Sequence, residues 1–384
     1  MSKHTTTEKT QSKVTKTTLR EIHKQASRQK LTIGLDLGDR FTHFCILDET
    51  GEILLEDKLA TTKTGLNRLF ETLASTRTAL EAGTHSPWIT HHLLSMGHEV
   101  IVANPRRLTI ITDSKRKNDR IDAEKLARLA RADPKLLAPI HHRGEQAQKD
   151  LAFIRVRETL VTARTSFINA ARGHAKALGF RLEDCDGDSV GTDMAKQLPE
   201  DIRTILEPLL ELVSQFTAKI KEADQQIHAI AKRYPEIQLL TPIWGVGELT
   251  ALAFVLTIEE AQRFNKSRQV GPYLGMVPGQ SQSGNSDPQQ RITKEGDRMV
   301  RWLLVQCAHC ILRRGAPDSD LRRWGLNKID ELKSGKGKPR KKKVIVAVAR
   351  KLAVLMHRLW VNGEVYDPLY NAKQQTHKAS RTAA

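Results

Sequence analysis

The sequence predicts a mixed α/β domain, then a long helical hairpin, then a mainly helical C-terminal domain. Three observations carry this expectation. Residues 31–59 hold three short apolar runs split by polar turns, and helix-like and strand-like stretches alternate from there to residue 132. Residues 145–234 hold two long stretches with apolar side chains at helical spacing and no strand signal. From residue 237 onward, glycine-rich turns separate apolar helical runs.

Taken in order, residues 1–30 scatter Lys3, Lys9, Lys13, Lys16, Arg20 and Lys24 among Thr, Ser and Gln. Without a sustained apolar face they read as a mobile basic arm, helical near Leu19-Arg-Glu-Ile22. Leu31–Leu37, Phe41–Asp48 and Glu52–Leu59 read as strands, the last two joined by Glu49-Thr-Gly51. A helix is expected over Thr64–Ala74, a strand over Thr78–Glu81, a helix over Pro87–Met96 and a strand over Glu99–Ala103. Helices resume at Pro105 and over Ile121–Ala132. Three meandering strands followed by this alternation imply a mixed sheet with helices on its faces.

In the hairpin, Leu151, Ile154, Leu160, Phe167 and Ile168 recur at helical spacing, interleaved with Arg155, Arg157, Arg164 and Arg172. A second helix runs from about Glu200 to Lys232. The two form an antiparallel pair that spaces or dimerises domains. Their connection, Glu183-Asp-Cys-Asp-Gly-Asp188, superficially resembles a calcium loop, but its glycine comes too early and Ala195 stands where a bidentate glutamate belongs. It reads as a solvated turn. Beyond it, Leu240-Thr-Pro-Ile-Trp-Gly-Val-Gly247 puts a Gly-x-Gly turn before an apolar helix. Backbone amides of Gly245 and Gly247 could approach a DNA phosphate, and an ordinary helix–helix turn fits equally well. Helices over Met299–Arg313 and Lys343–Trp360 close the chain, with the Gly/Lys/Arg run Lys333–Lys343 expected as a flexible loop on phosphates, Lys341 and Lys342 included.

Charge narrows the partner. Lys plus Arg number 62 against 44 Asp plus Glu, a formal charge of +18. That excess favours a polyanion, most simply nucleic acid. Four cysteines, no signal-like segment and no apolar stretch long enough for a bilayer predict a reducing cytosol and no membrane role. Within this basic chain, four carboxylates stand out: Asp36 inside Thr32-Ile-Gly-Leu-Asp-Leu-Gly38, Glu81 closing Arg77-Thr-Ala-Leu-Glu81, and Asp119 and Asp122 one helical turn apart. Like charges a few Å apart repel by ~4 kcal/mol per pair at an effective dielectric of 20. Such a cluster needs cations, and hard oxygen ligands point to Mg2+ or Mn2+, as in nucleases that neutralise a phosphodiester with two ions. Any one of Glu81, Asp119 and Asp122 alone reads as a surface charge. Asp36 resists that reading, because a charge in a buried strand is expensive unless paired or metal-bound.

Ser281, Ser283 and Ser286 sit in a Gly-rich segment ahead of Arg291, Lys294 and Arg298. The residues alone favour a polar loop, with a serine attacking phosphate beside cations as the alternative. Cys307-Ala-His-Cys310 has zinc-like spacing but lies in an apolar helical run without a second Cys pair, so core packing is expected.

Several stretches resemble one family, the insertion-sequence DEDD transposases, which join a RuvC-like (RNase H fold) N-terminal domain to a serine-bearing C-terminal domain and are described as bridge-RNA-guided recombinases. The resemblance rests on Gly34-Leu-Asp-Leu-Gly38, Leu80-Glu-Ala-Gly83, Val102-Ala-Asn-Pro105 and Lys117-Asn-Asp-Arg-Ile-Asp-Ala123. It continues in Tyr273-Leu-Gly-Met-Val-Pro278, Gln280-Ser-Gln-Ser-Gly284, Arg291-Ile-Thr-Lys-Glu-Gly296 and Leu304-Val-Gln-Cys-Ala308. It covers roughly residues 32–360. The resemblance implies that Asp36, Glu81, Asp119 and Asp122 bind the metals and that Ser283 is the nucleophile; Arg291, Lys294 and Arg298, read from the residues as cations beside that serine, are expected on nucleic acid. It also implies double-stranded DNA (element ends and target) and an element-encoded guide RNA as partners. A homo-oligomer, dimer or tetramer, is implied, with acidic and serine sites supplied by different subunits, as is a cytoplasmic, nucleoid-associated bacterial setting. The chain departs from the family pattern in having Gln282 before Ser283, Gly279 for a usual arginine and Asn118 for a usual threonine.

The expected divisions are 1–30 (arm), 31–144 (RuvC-like), 145–235 (hairpin), 236–370 (serine-bearing) and 371–384 (tail). A RuvC-type junction endonuclease would use the same carboxylates with water and give the C-terminal domain no task. A DDE transposase would place its glutamate last, and a non-catalytic binder would leave the carboxylates unexplained.

Overall fold

In the computed structural model five strands form one sheet in the order β3-β2-β1-β4-β5. They are β1 (Thr32–Leu37), β2 (Phe41–Leu47), β3 (Ile53–Ala60), β4 (Arg77–Glu81) and β5 (Glu99–Ala103). The structure describes residues 30–107, 118–196, 198–282, 288, 290–334 and 341–374. The basic arm through residue 29, the tail from 375 and Ser283 lie outside the described residues. The chain separates into two compact units at Glu145/Gln146.

In the first unit, β1–β2 and β2–β3 pair antiparallel, because tight turns suffice to reverse the chain. At the second turn Asp48 Oδ1 accepts from the backbone N–H groups of Thr50, Gly51 and Glu52. β1–β4 and β4–β5 pair parallel and need crossovers, supplied by α1 (Lys63–Phe70) and α2 (Ser86–Ser95). The mixed sheet and its helices are compatible with an RNase H-like fold. Side chains alternate along β1. Leu31, Ile33 and Leu35 join a core with Leu66, Phe70, Ile89 and Leu93. The opposite face carries Gly34 and receives α3 (Asp119–Ala132): a Cβ on Gly34 would stand 2.0 Å from the Ala123 carbonyl oxygen. Only glycine lets that helix lie so close.

Some expected boundaries move. α1 ends at Phe70 rather than Ala74, since the Thr72 hydroxyl bonds the Leu69 carbonyl and Leu73 N–H turns back to Phe70. The helix expected from Pro105 is a single 3-10 turn, Pro105–Arg107, and residues 108–117 lie outside the described residues. α3 starts at Asp119, two residues earlier than expected, because Asn118 caps it by accepting from Arg120 N–H at 3.1 Å.

The second unit opens with two long helices, α4 (Glu145–Ala177) and α5 (Glu200–Ala231). Arg157 bonds Asp224, and Phe167 stacks on Phe216 at 5.6 Å, so later residues of one meet earlier residues of the other. The pair is antiparallel. Its root residues Leu151, Ile154, Ile227 and Ile230 enter the same core as the C-terminal helices. At its centre α7 (Glu248–Ile258) follows the single-turn α6 (Ile237–Leu240), and residues 250–258 are all buried. A helix apolar all round belongs inside a core. α8 (Val270–Tyr273), α9 (Arg298–Leu312), α10 (Asp320–Ser334) and α11 (Lys341–Asn362) complete the unit, with α9 packed directly on α7. Two expectations are corrected here. The run Lys333–Lys343 is not a loop throughout: α10 continues to Ser334 and α11 begins at Lys341. α10 itself was not anticipated. Cys307 is buried in the core while Cys310 is exposed, and burial pushes the Cys307 thiol up to about 11. Among the described residues no helix is long and apolar enough to cross a membrane.

Three histidines are held neutral. Burial lowers His98, whose Nδ1 accepts from Thr76 N–H, and lowers His357 against the Ala261 carbonyl. Burial, then His91 and Arg143, lowers His142 to about 4. Below its ordinary pKa of ~6.5 each takes a proton more readily unfolded than folded, so stability is full above that pH and falls as pH drops toward 4. The melting temperature at pH 5 is expected to lie below that at pH 7.5 by at least ~2–4 °C. A higher melting temperature at pH 5 would contradict this assignment.

Candidate active site

Asp36 is the penultimate residue of β1 and Glu81 the last of β4. The parallel register pairs Leu35 with Leu80, so one step further sets Asp36 beside Glu81. Both belong to the face that carries Gly34 and Ala79, over which α3 packs. Both line one cavity of about 430 Å3 at the strand ends, with Asp39, Gly83, Thr84 and His85. The carboxyl ends of parallel strands are where open α/β sheets receive ligands.

Asp119 and Asp122 occupy the first turn of α3. There the unpaired N–H groups and the helix dipole favour negative charge by ~0.3–1 kcal/mol. Arg120 reaches Glu56 of β3 at 3.5 Å and ties this turn to the sheet. Asp36 faces His43 across the β1–β2 pair, and His43 Nε2 lies 4.0 Å from Asp119 Oδ2. Asp122 Oδ1 lies 3.8 Å from Lys125 Nζ and is largely covered. Asp36 and Glu81 thus share the strand-end cavity, and the helix that covers their face carries the other two carboxylates in its first turn. Among the described residues, though, no three His, Cys, Asp or Glu side chains converge to enclose a metal ion. Four carboxylates would supply only oxygen donors, which fit a hard divalent ion in chemistry.

The sequence reading missed His43, Asp39 and His85. Trp88 Nε1–H donates to His85 Nδ1 at 3.1 Å, so in the neutral ring Nε2 carries the proton, 3.5 Å from Asp39 Oδ1. The available signal was position: His85 follows a strand-end glutamate in a short polar loop, where site residues collect. His43 became visible only through the hairpin register.

In the second unit, Gly279 N–H bonds the Arg291 carbonyl, Thr293 N–H the Val277 carbonyl and Lys294 N–H the Gly275 carbonyl. This short ladder, with Pro278 bridged to Ile292, closes the loop that holds Ser281 and, outside the described residues, Ser283. Arg301 clamps its base through the carbonyls of Leu274, Glu295 and Gly296. Arg291, Lys294 and Arg298 are all exposed, Lys294 with a left-handed backbone (φ 59°). Gly245 makes the turn before α7 with φ 85° and packs on Cys307 and Cys310 of α9. Gly247 precedes α7 with nothing within 4 Å of where a Cβ would be, so its backbone is open to an approaching group. Lys341 and Lys342 are exposed on the first turn of α11.

Residues 33–178 match the family model of IS110-type DEDD transposases, and residues 237–322 match the model described as the transposase IS116/IS110/IS902 family. The chain belongs to the IS110-family DEDD transposases. The first match of this IS110-family chain spans Asp36, Glu81, Asp119 and Asp122. The second spans Gly245, Gly247, Ser283, Arg291, Lys294 and Arg298, and Lys341 and Lys342 lie beyond it. The chain is 26% identical over 345 residues to the transposase for insertion sequence element IS1111A of Coxiella burnetii, covering 87% of this chain and 90% of that one. It is 27% identical to the transposase for insertion sequence element IS1328 of Yersinia enterocolitica, over 73% and 84% of the two chains. A pilin gene-inverting protein of Moraxella bovis is 24% identical over 74% of this chain and 80% of its own length. The family is one of mobile-element enzymes that cut and rejoin DNA.

Proposed function

We propose that this transposase cuts and rejoins the DNA of its insertion sequence with Asp36, Glu81, Asp119 and Asp122 as divalent-metal ligands and Ser283 as the nucleophile. The observation that carries the reading is the register: Asp36 and Glu81 stand side by side at strand ends, on the face covered by the helix whose first turn holds both other carboxylates. Bound Mg2+ or Mn2+ would there neutralise charge on the phosphate under attack. The Ser283 hydroxyl gives up its proton as its oxygen bonds phosphorus, one P–O bond of the strand breaks, and the departing strand oxygen takes a proton. Attack by an incoming strand hydroxyl reverses the exchange and frees the serine, so no energy source is needed for rejoining. Arg291, Lys294 and Arg298, on the return strand of the loop and the helix after it, stabilise the phosphate's extra negative charge. Gly247's open backbone and Lys341 and Lys342 track the DNA backbone.

An element-encoded guide RNA selecting the sequence, a homo-oligomeric assembly and a nucleoid-associated setting belong to the same proposal, and rest on the motif resemblance of the sequence alone. So does the division of labour among residues 31–144, 145–235 and 236–370. A junction endonuclease using water is not favoured, because it assigns no task to residues 237–322, which match a transposase family. The test is excision and rejoining of a DNA carrying the element's ends, with its flanking RNA supplied. Formation of a rejoined product supports the proposal, and cleavage without rejoining supports the endonuclease.

The +18 charge sets a further expectation. With six to ten phosphates contacted, DNA affinity should fall by ~10³–10⁵ between ~50 and ~200 mM salt. Deleting residues 1–29, or replacing Lys341 and Lys342 by Gln, should flatten that slope. A slope near zero in the intact protein would contradict the electrostatic contribution.

A further inference from the structure

The second unit holds a cavity of about 760 Å3 that none of the chemistry above uses. It lies between α10, α11 and the stretch 366–372, and Arg268 projects to it from the 3-10 turn Ser267–Gln269. Five cations and two carboxylates line it. Most are already engaged. Arg323 donates three hydrogen bonds to Asp318, and Arg358 lies 3.7 Å from Glu364. Asp320 accepts from the Asn371 N–H, and Asp367 pairs with Lys373 at 2.8 Å. Among the described residues Arg268, Arg350 and Lys351 have no carboxylate at ion-pair distance. Those three exposed cations therefore offer charge that no carboxylate among the described residues neutralises.

The same cavity is lined by Trp324, Tyr366 and Tyr370. Lys351 lies 4.5 Å over the Trp324 ring, and Tyr370 is 45% exposed. The cations are held in place before any ligand arrives. The Arg350 stem rests on α8 at Gly271, where a Cβ would come within 3.1 Å of its Cγ. The turn bearing Arg268 is tied to α11 by buried His357, which bonds Ser267 Oγ at 3.0 Å and the Ala261 carbonyl at 2.9 Å. Cations fixed beside the half-buried Trp324 ring and the exposed Tyr370, over whose ring Arg358 lies at 5.5 Å, suit a ligand that joins a phosphate to a flat ring. The volume falls within the ~300–1,000 Å3 of sites that enclose small ligands. A base paired in a duplex has no free face to offer it.

We propose that this cavity binds an unpaired nucleotide of a nucleic-acid strand, its base against Trp324 and Tyr370 and its phosphate against Arg268, Arg350 and Lys351. The proposal rests on the nucleic-acid reading of the chain but on none of its cleavage chemistry. An unpaired nucleotide could come from RNA or from DNA, and the test separates them.

The intact protein is titrated with three labelled probes of equal length: single-stranded RNA, single-stranded DNA and blunt duplex DNA. The variants are Trp324→Leu, Tyr370→Ser and Arg350→Gln. Tyr370 and Arg350 are exposed, so these two keep the test sound if Trp324→Leu disturbs packing. Each variant is expected to lose ~5- to 150-fold in affinity for a single-stranded probe while duplex affinity stays within about twofold. The probe that suffers the larger loss identifies the source. Photocrosslinking of a halogenated-base probe should map to the peptides carrying Trp324 or Tyr370. Unchanged single-strand affinity in Tyr370→Ser and Arg350→Gln, crosslinks mapping elsewhere, or equal competition by polyglutamate would overturn the proposal. Failure of every probe to bind the intact protein would instead sink the nucleic-acid reading beneath it.

Discussion

Asp36→Asn is expected to abolish strand exchange, by at least ~10²–10³-fold, while the protein folds and assembles as before. The substitution keeps shape and hydrogen-bonding capacity at the end of β1 and removes only charge. If Asp36 and Glu81 share a cation at their common cavity, halving the local charge releases it. Asp122→Asn should behave alike. It gives up ~0.3–1 kcal/mol of interaction with the first turn of α3, too little to unfold a unit of this size. Chelation should reproduce both variants in the unaltered protein, and added Mg2+ or Mn2+ should restore activity there and not in Asp36→Asn. Full strand exchange by the chelated protein would remove the metal from the account.

Ser283→Ala is expected to lose strand exchange by at least ~10³-fold with DNA affinity within about twofold of the unaltered protein. The change deletes one hydroxyl in a loop closed by the ladder between residues 275–279 and 291–294, so the loop's frame and its exposed cations stay. Ser281→Ala, at the near side of the same loop, should retain activity. If Ser281→Ala is the dead variant and Ser283→Ala the active one, the nucleophile has been misassigned within a correct loop. If both are active, the loop is a binding loop and water or a strand hydroxyl is the attacking group.

The fold was legible where periodicity was strong. Leu31, Ile33 and Leu35 alternate with Thr32, Gly34 and Asp36, and that period of two exposed both the strand and the oddity of a carboxylate within it. The 32- and 33-residue helices were legible for the same reason at period 3.6. α10 escaped because it is charge-rich and carries Gly325 inside it, normally a cost of ~1 kcal/mol in a helix. Its reason is tertiary: a Cβ there would meet Leu312 of α9 at 2.7 Å and Val348 of α11 at 2.8 Å. Asn118 proved to be the cap that starts α3 early and draws both aspartates into its first turn. His43 was beyond the sequence's reach, since it depends on strand register, whereas His85 was signalled only by its place in the short loop after Glu81. The same limit hid the cavity lined by Arg268 and Arg350, whose members are 82 positions apart in the chain and share no motif.

One measurement tests the central claim most directly. The protein is incubated with end-labelled element DNA and its flanking RNA, with Mg2+ or with chelator, and the products are separated under denaturing conditions. The account predicts a protein–DNA adduct that forms only with the metal, is absent in Ser283→Ala and in Asp36→Asn, and maps by peptide analysis to Ser283. Rejoined DNA without any adduct, or an adduct that persists in Ser283→Ala, would contradict it.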